Sequence, residues 1–206
     1  MNINGDTIIA AQYEQINPFS ENYVLAVKGA KLGLLDGKGK VLIPFEYDDN
    51  RGIWEDENIC FLKKNGKYGM LNLQGEILLP FNYDEIVSGG KFGLMGVQIG
   101  EKFGLIDYQK QKEILPCEYE NVKLGYIRRW SWGGYEYNDL TNHLIAVKNN
   151  GRWGFVDLNG KLVVPFKYED GEQEDNIFYG NAAAVILNKR YGLIDTLGNV
   201  IAPFEY

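Results

Sequence analysis

The residues that could carry chemistry in this 206-residue chain are few and lie far apart. The single histidine, His143, is a candidate general base, but a base needs a positioned nucleophile or water, and no nearby motif supplies one. Cys60 and Cys117 lack metal-ligand spacing and are too few for a disulfide framework. The chain has no phosphate loop, zinc motif, Gly-x-Ser-x-Gly elbow or dinucleotide fingerprint. We therefore predict no catalytic residue and no cofactor.

Carboxylates are the other candidates, and they cluster in two acidic loops. One loop contains Asp48, Asp49 and the run from Glu55 to Glu57, and the other extends from Glu169 to Asp175. Because paired carboxylates hydrolyse glycosides, a hydrolase of unknown substrate is our third-ranked interpretation. Calcium requires alternating oxygen ligands and a turn glycine in a tighter pattern than either loop has, and charge runs are usually solvated. We predict no metal site.

One repeated phrase contains many of these acids and determines the architecture. The full copies are KLGLLDGKGKVLIPFEYD from Lys31, KYGMLNLQGEILLPFNYD from Lys67, KFGLIDYQKQKEILPCEYE from Lys102, RWGFVDLNGKLVVPFKYE from Arg152 and RYGLIDTLGNVIAPFEY from Arg190. With the apolar run before each phrase, the repeats span about residues 23–48, 58–84, 92–120, 144–169 and 182–206, after a partial repeat at 1–14. The repeat is the unit of construction, and we predict one domain over residues 1–206.

The sequence of each repeat predicts three short β-strands. An apolar run, as from Leu144 to Val147, leads to a turn such as Asn150-Gly151, which accepts positive φ in a tight hairpin. The second segment ends in Asp or Asn, and a glycine three residues later completes the signature of a type I turn. The third segment alternates, as from Val41 to Tyr47. We predict an all-β array of three-stranded antiparallel meanders, with almost no helix. The third copy has Lys110 in place of the glycine and one extra residue, which predicts a wider turn.

Other aligned positions of the repeat predict how its side chains pack. A glycine inside the second strand, as in Trp153-Gly154, indicates a bulge or a ring packed on bare backbone, and proline in the third segment indicates an edge strand. The tyrosines that close the repeats, at positions 13, 47, 83, 119, 168 and 206, are called the closing tyrosines. They are predicted to form a buried ladder whose hydroxyls hydrogen-bond to the backbone. Cys117 stands in a phenylalanine column and is predicted to be a buried hydrophobe. Basic residues at 31, 67, 102, 152 and 190 are predicted to face acids at 48, 84, 120 and 169.

These residues resemble the WG repeat of bacterial proteins, in which a Trp-Gly pair is followed by a Gly-Lys turn and a closing Pro-x-x-Tyr. Here the pair is Trp153-Gly154, and the other copies have Leu, Tyr or Phe before the glycine. The resemblance implies a β-rich array that mediates interactions, and it transfers no catalytic residue. Because both ends of the chain carry the same third segment, we prefer an open stack. A small closed β-propeller is the alternative.

An insertion interrupts the array at residues 120–143. Insertions in repeat proteins map to loops on one face, which often bind partners, and Trp, Tyr and Arg are enriched in binding hot spots. We predict a non-enzymatic module that binds another protein through its inter-repeat loops and this insertion. The predicted partner-binding residues are Tyr126, Arg128, Arg129, Trp130, Trp132, Tyr135 and Tyr137.

Two alternatives for the insertion stay open. In the first, the segment folds back as an extra hairpin with Gly133-Gly134 as its turn, and its aromatic side chains pack against the array. In the second, exposed tryptophan rings stack on sugars, and the chain is a carbohydrate-binding module.

The overall charge narrows the class of partner. A formal net charge of -7 disfavours nucleic acid, because phosphate contacts need a surplus of Lys and Arg, and it favours a basic or neutral protein. The longest apolar stretch, Ala182 to Leu187, is too short to cross a bilayer, so we expect no membrane insertion. The chain does not open with a signal-peptide pattern. We expect a cytoplasmic protein, or a secreted one if a signal peptide has been removed.

Overall fold

The computed structural model describes residues 11–89, 93–123, 127–129, 135–137, 144–171 and 176–205. Within these ranges the regular structure consists of β-strands joined by turns and loops, which confirms the predicted all-β class. None of the described residues belongs to a helix that could cross a membrane.

Five four-stranded sheets follow one another along the chain, each with its strands in sequence order. Sheet 1 contains β1 (Gln15–Pro18), β2 (Tyr23–Lys28), β3 (Lys31–Asp36) and β4 (Val41–Tyr47). Sheet 2 contains β5 (Asp49–Trp54), β6 (Ile59–Lys64), β7 (Lys67–Asn72) and β8 (Ile77–Tyr83). Sheet 3 contains β9 (Glu85–Gly89), β10 (Leu94–Ile99), β11 (Lys102–Asp107) and β12 (Lys112–Tyr119).

The insertion separates the first two strands of sheet 4. This sheet contains β13 (Asn121–Lys123), β16 (Leu144–Asn149), β17 (Arg152–Asp157) and β18 (Leu162–Tyr168). Between them, β14 (Ile127–Arg129) and β15 (Tyr135–Tyr137) form a two-stranded sheet. Sheet 5 contains β19 (Phe178–Tyr179), β20 (Ala182–Leu187), β21 (Arg190–Asp195) and β22 (Val200–Ala202).

The predicted three-stranded meander is present in every sheet as strands two to four, and the structure adds a first strand. In sheets 1 to 4 this strand begins two residues after a closing tyrosine; β5, for example, follows Tyr47 in this way and pairs with β6. In sheet 5 the first strand, β19, begins ten residues after Tyr168. The five first strands differ in length, and only β1, β9 and β13 share a feature, an aliphatic residue at the third position after the tyrosine: Ile16, Ile86 and Val122. Four of the prolines lie in the outer fourth strand of their sheet, as predicted: Pro44, Pro80, Pro116 and Pro165.

The chain divides into two compact units, Met1–Ile86 and Val87–Tyr206. Sheets 1 and 2 lie in the first unit, and sheets 4 and 5 lie in the second with strands β10 to β12. The predicted single domain over residues 1–206 and the predicted open stack both depend on how the two units are arranged, so both stay predictions.

The turns have the predicted chemistry. Asn65 and Gly66 have φ values of 53° and 79°, as a two-residue hairpin turn requires. In the turn that begins at Asp36, the Oδ1 atom accepts hydrogen bonds from the amides of Lys38 and Lys40, both at 2.9 Å. Gly39 completes this turn with a φ of 85°. The Asp or Asn that begins this turn in each copy therefore has a structural role, because its side-chain oxygen accepts hydrogen bonds from backbone amides of the turn.

The third copy has the wider turn that its extra residue predicts. The Asp36 amide donates to the Lys40 carbonyl, so three residues separate that pair, whereas Asp107 pairs with Lys112 across four residues. Gln111 occupies the left-handed region with a φ of 53°, where other copies use glycine.

The strand glycines make room for a phenylalanine of the neighbouring strand. A Cβ atom on Gly69 would lie 2.8 Å from Cγ of Phe81 and 3.0 Å from the Leu79 carbonyl oxygen. The β7–β8 register also shifts here, between the Tyr68 and Met70 pairs. The bulge and the packed ring are therefore both confirmed. Sheets 1 to 4 all have this shift across the strand glycine, whereas in sheet 5 the register shifts between the Leu193 and Ile194 pairs.

The closing tyrosines stack on the same phenylalanines, but from the preceding repeat. Tyr47 lies 5.7 Å from Phe81, and Tyr168 lies 6.3 Å from Phe204, measured between ring centroids. Glycine, phenylalanine and tyrosine of the motif thus form one stack that ties two successive repeats together. The hydroxyl prediction was wrong for Tyr168, whose buried hydroxyl has no hydrogen-bond partner within the described part of the chain.

Within each unit, the core lies between successive sheets. We define the front face of a sheet as the one that carries the residue after the strand glycine, and the back face as the opposite one. In the first unit, Leu34 and Ile43 on the front of sheet 1 pack against Cys60, Leu62 and Leu71 on the back of sheet 2. In the second unit, the fronts of sheets 3 and 4 pack in the same way on the backs of sheets 4 and 5.

Candidate interaction surface

The insertion extends the loop between the first and second strands of sheet 4. Its strands β14 and β15 pair with each other, with Arg128 opposite Glu136 and Arg129 opposite Tyr135, and neither pairs with a strand of the five repeat sheets. The strand pair has the register of a hairpin whose connection is residues 130–134. The insertion therefore adds a separate β-element to the array.

The predicted binding residues divide between described and undescribed positions. Arg128 and Arg129 lie on β14, and Tyr135 and Tyr137 lie on β15. Tyr126, Trp130 and Trp132 lie outside the described residues, as do the Gly133-Gly134 turn and the candidate base His143.

The loops that correspond to the insertion lie beside the Asp turns in the first unit. The Gly37 amide donates to the Asn22 carbonyl at 2.8 Å, and the Asn22 side-chain amide donates to Oε1 of Glu55 at 2.7 Å. In sheet 2, Asn58 donates to Gln74 at 3.0 Å. First-to-second-strand loops and Asp turns therefore form one rim, with hydrogen bonds between loops of successive sheets.

Carboxylates join successive repeats at the opposite end of the sheets. Asp48 pairs with the ammonium of Lys31 and accepts a hydrogen bond from the Gly66 amide at 3.3 Å. Glu169 repeats this bridge with the Arg152 guanidinium at 2.8 Å and the Lys189 amide at 3.0 Å. The predicted pairing of basic and acidic columns is confirmed at these two places and between residues 67 and 84. Lys102 and Glu120 form no ion pair in the described ranges.

The same acids also cap hairpin turns, which the charge pattern did not reveal. Glu14 accepts from the Gly29 amide at 2.7 Å, and Glu120 accepts from the Gly151 amide at 2.9 Å. The sequence does contain a signal for this role. A carboxylate directly follows a closing tyrosine, and a turn with positive φ comes in the next repeat.

Acid is expected to weaken these bridges. The pKa of Asp48 is lowered, first by the hydrogen bond from Lys31, and the pKa of Glu169 is lowered, first by the hydrogen bond from Arg152. A carboxyl with a lowered folded-state pKa stabilises the fold above its ordinary value, here 3.8 or 4.5, and loses that contribution as pH falls through the folded value. We expect the urea midpoint to be flat from about pH 7 to pH 5 and to fall below about pH 4.

The variant Asp48→Asn should shift the pH 7 urea midpoint downward and reduce its loss in acid. Asp56→Asn is the matched control, because Asp56 is exposed and forms no ion pair with the rest of the described chain. A midpoint that stays constant down to about pH 2.5 would contradict the assignment.

Trp153, the tryptophan of the motif, is a structural residue. It is buried, and its indole Nε1 donates to Asp170 at 2.8 Å. Lys148 pairs with the other oxygen of Asp170 at 2.6 Å, and the Lys123 ammonium lies 4.8 Å from the ring centroid. The pKa of Asp170 is lowered by Lys148 and then by Trp153. This ring is therefore not part of an exposed binding surface.

The cysteines are placed for packing. Cys60 lies in the core between sheets 1 and 2, and burial raises its pKa to about 12, so its thiol is protonated at neutral pH. Cys117 takes the place of the motif phenylalanine, with its Sγ at 2.9 Å from where a Cβ on Gly104 would lie. Among the described residues, no three His, Cys, Asp or Glu side chains are grouped as metal ligands.

The model of a family described as "WG containing repeat" matches residues 1–31, 33–68, 68–102, 153–190 and 191–206, which is more than half of the chain. The chain belongs to this WG-repeat family. The matched segments leave out residue 32 and residues 103–152, and the second of these ranges contains the insertion together with most of the third copy of the repeat. No curated protein matches the chain.

The solved structures that match this chain are distant from it in sequence. Hsv2p from Kluyveromyces lactis is 12% identical with a TM-score of 0.40, and the match covers 91% of this chain and 63% of that one. A eukaryotic initiation factor is 11% identical with a TM-score of 0.42, and the match covers 94% of this chain and 56% of that one. BamB from Moraxella catarrhalis is 11% identical with a TM-score of 0.34, and the match covers 88% of this chain and 66% of that one. The WG-repeat chain spans less than two thirds of each of these proteins.

Proposed function

We propose that this WG-repeat array is a non-enzymatic, cytoplasmic module that binds another protein through its loop rim and the insertion at 120–143. The observation that carries the proposal is the separate β14–β15 hairpin, which belongs to none of the repeat sheets. A segment that completed a repeat would add a strand to its sheet. The hairpin instead extends a loop of the same class as those that form the rim in sheets 1 and 2.

The composition of this hairpin supports a protein as the ligand. Arginine and tyrosine occupy facing positions, with Arg129 opposite Tyr135, and two tryptophans follow in the connecting segment. These residue types provide most of the energy in protein interfaces. The rim adds acids at Glu55, Asp56 and Glu57, so a partner with a basic or neutral surface is favoured over nucleic acid.

The test is a pull-down from lysate of the source organism with wild type and the double variant Trp130→Ala, Trp132→Ala. We expect a partner that wild type retains and the double variant loses. Ile99→Ala is the matched control: this residue is exposed, lies at the hairpin end of sheet 3 rather than on the rim, and should retain the partner. Circular dichroism and thermal melting must show that all three proteins fold alike.

Other outcomes would redirect or reject the proposal. If both variants retain the same partner, the insertion is not the binding element and only the rim loops of the repeats remain. If wild type captures nothing, the carbohydrate alternative is favoured, and a glycan that changes tryptophan fluorescence in wild type but not in the double variant would replace a protein as the ligand. Loss of a hydrolytic activity on removal of His143 would refute the non-enzymatic role.

A further inference from the structure

An exposed phenylalanine lies on the loop rim of the first unit. Phe19 belongs to the loop that joins β1 and β2, and 40% of its surface is exposed. Its ring stacks nearly parallel on the ring of Tyr23, with 5.9 Å between the centroids and an interplanar angle of 11°. Tyr23 itself packs on the core between sheets 1 and 2. The stack therefore holds the Phe19 ring in place and covers one of its faces, while much of the residue stays open to solvent.

A carboxylate of the next repeat is fixed against the same loop. Oε1 of Glu55 accepts a hydrogen bond from the side-chain amide of Asn22 at 2.7 Å, and the Ser20 hydroxyl is a second donor. The hydrogen bond from Asn22, and then that from Ser20, lowers the pKa of Glu55, so this side chain is charged at neutral pH. A carboxylate has about four lone-pair sites, so two donors leave it able to accept from a further ligand.

The charge around this ring and carboxylate is negative. The loops at 19–22 and 55–58 read FSEN and EDEN, which gives four carboxylates and no basic residue. Three of these carboxylates are exposed and form no ion pair with the rest of the described chain: Glu21, Asp56 and Glu57. The adjoining Asp turn adds only the two ammonium groups of Lys38 and Lys40. This part of the rim therefore attracts a cation.

We propose that Phe19 and Glu55 bind an arginine side chain of the protein partner. A guanidinium group is planar and cationic, so it stacks on an aromatic face and donates paired hydrogen bonds to a carboxylate. An ammonium group is more strongly hydrated and lacks this flat face, so arginine suits the pair better than lysine does. The inference rests on the proposed function, because it names the chemistry of the partner. It adds a contact in the first unit, whereas the insertion lies in the second.

Titration of the full chain with the peptide acetyl-Gly-Ser-Arg-Ser-Gly-amide, followed through backbone amide chemical shifts, tests the site without a partner protein. We expect saturable shifts at residues 19–23 and 55. The same peptide with citrulline, the neutral isostere of arginine, should give none. Phe19→Leu, which keeps an apolar side chain but removes the ring, and Glu55→Gln should each raise the dissociation constant at least about threefold. Glu57→Gln is the matched control, because it removes the same charge from the same loop, and it should leave the constant nearly unchanged.

Three outcomes of the titration would overturn the proposal. The first is that the arginine and citrulline peptides shift the same amides equally. The second is that no shift saturates up to about 50 mM peptide. The third is that Glu57→Gln weakens binding as much as Glu55→Gln does, because diffuse negative charge would then be sufficient.

The pull-down separates this site from the proposed function. A partner that the Trp130→Ala, Trp132→Ala variant loses and Phe19→Leu retains undiminished would leave the proposed function standing and refute the arginine contact. If the arginine peptide binds as expected but wild type captures no protein, the proposed function fails and the arginine site is supported.

Discussion

Replacing Gly69 with alanine is expected to lower the free energy of unfolding by roughly 3 kcal/mol, the upper range for forcing atoms into a packed site. The new Cβ would lie 2.8 Å from Cγ of Phe81 and 3.0 Å from the Leu79 carbonyl oxygen, so the ring and the strand must both move. Because that ring also stacks on Tyr47 of the preceding repeat, the displacement spreads to the interface between sheets 1 and 2. Urea denaturation monitored by fluorescence measures the effect.

A double-mutant cycle with Phe81→Ala separates the ring from the backbone as the cause. Once the ring is absent, Gly69→Ala should cost clearly less than in wild type, because the closest clash of the new Cβ is with the Phe81 ring. The equivalent cycle at Gly154 and Phe166 should give less relief, since its Cβ would meet the Val164 carbonyl oxygen at 2.7 Å. Equal and additive costs at both sites would disprove the packing role of the ring.

The repeat pattern predicts most of the fold because each column has one physical task. Asp36 and Gly39 build a turn, Asn65-Gly66 builds a hairpin, and Gly69 accommodates a ring. These tasks are local or involve neighbouring strands, so they leave the same residues in every copy. Even the exception at Gln111 was predictable, because an extra residue must widen the turn.

The first strand of each sheet could not be predicted in this way. Strand β5 reads DNRGIW and β13 reads NVK, and they share neither a motif nor an alternation of apolar and polar residues. These segments are strands because they extend an existing sheet at its edge, where the backbone of strand two supplies the hydrogen bonds. That cause is tertiary, and a single segment of sequence does not contain it.

A binding surface is harder to predict from sequence than the scaffold, for a related reason. Exposed residues carry no packing constraint that repeats from copy to copy. Composition marked the insertion, and the structure separates its strands β14 and β15 from the repeat sheets.

Tyr168 provides the second large expected effect, and its ring and hydroxyl should act in opposite directions. The side chain is fully buried, contacts Phe155 edge to face and stacks on Phe204 of the next repeat. Tyr168→Ala is therefore expected to cost about 3–5 kcal/mol, as removal of a large core ring does. Thermal and urea unfolding monitored by circular dichroism measure this loss.

The hydroxyl of Tyr168 is buried without a hydrogen-bond partner in the described part of the chain, so its removal should relieve a desolvation cost. We expect Tyr168→Phe to be neutral or to stabilise the fold by up to about 1 kcal/mol. Tyr68→Phe is the matched control, because the Tyr68 hydroxyl donates to Oδ2 of Asp49 at 3.0 Å, and its loss should cost about 1–2 kcal/mol. If Tyr168→Phe destabilises as much as Tyr68→Phe, the hydroxyl of Tyr168 has a partner and the tyrosine column bonds as well as packs.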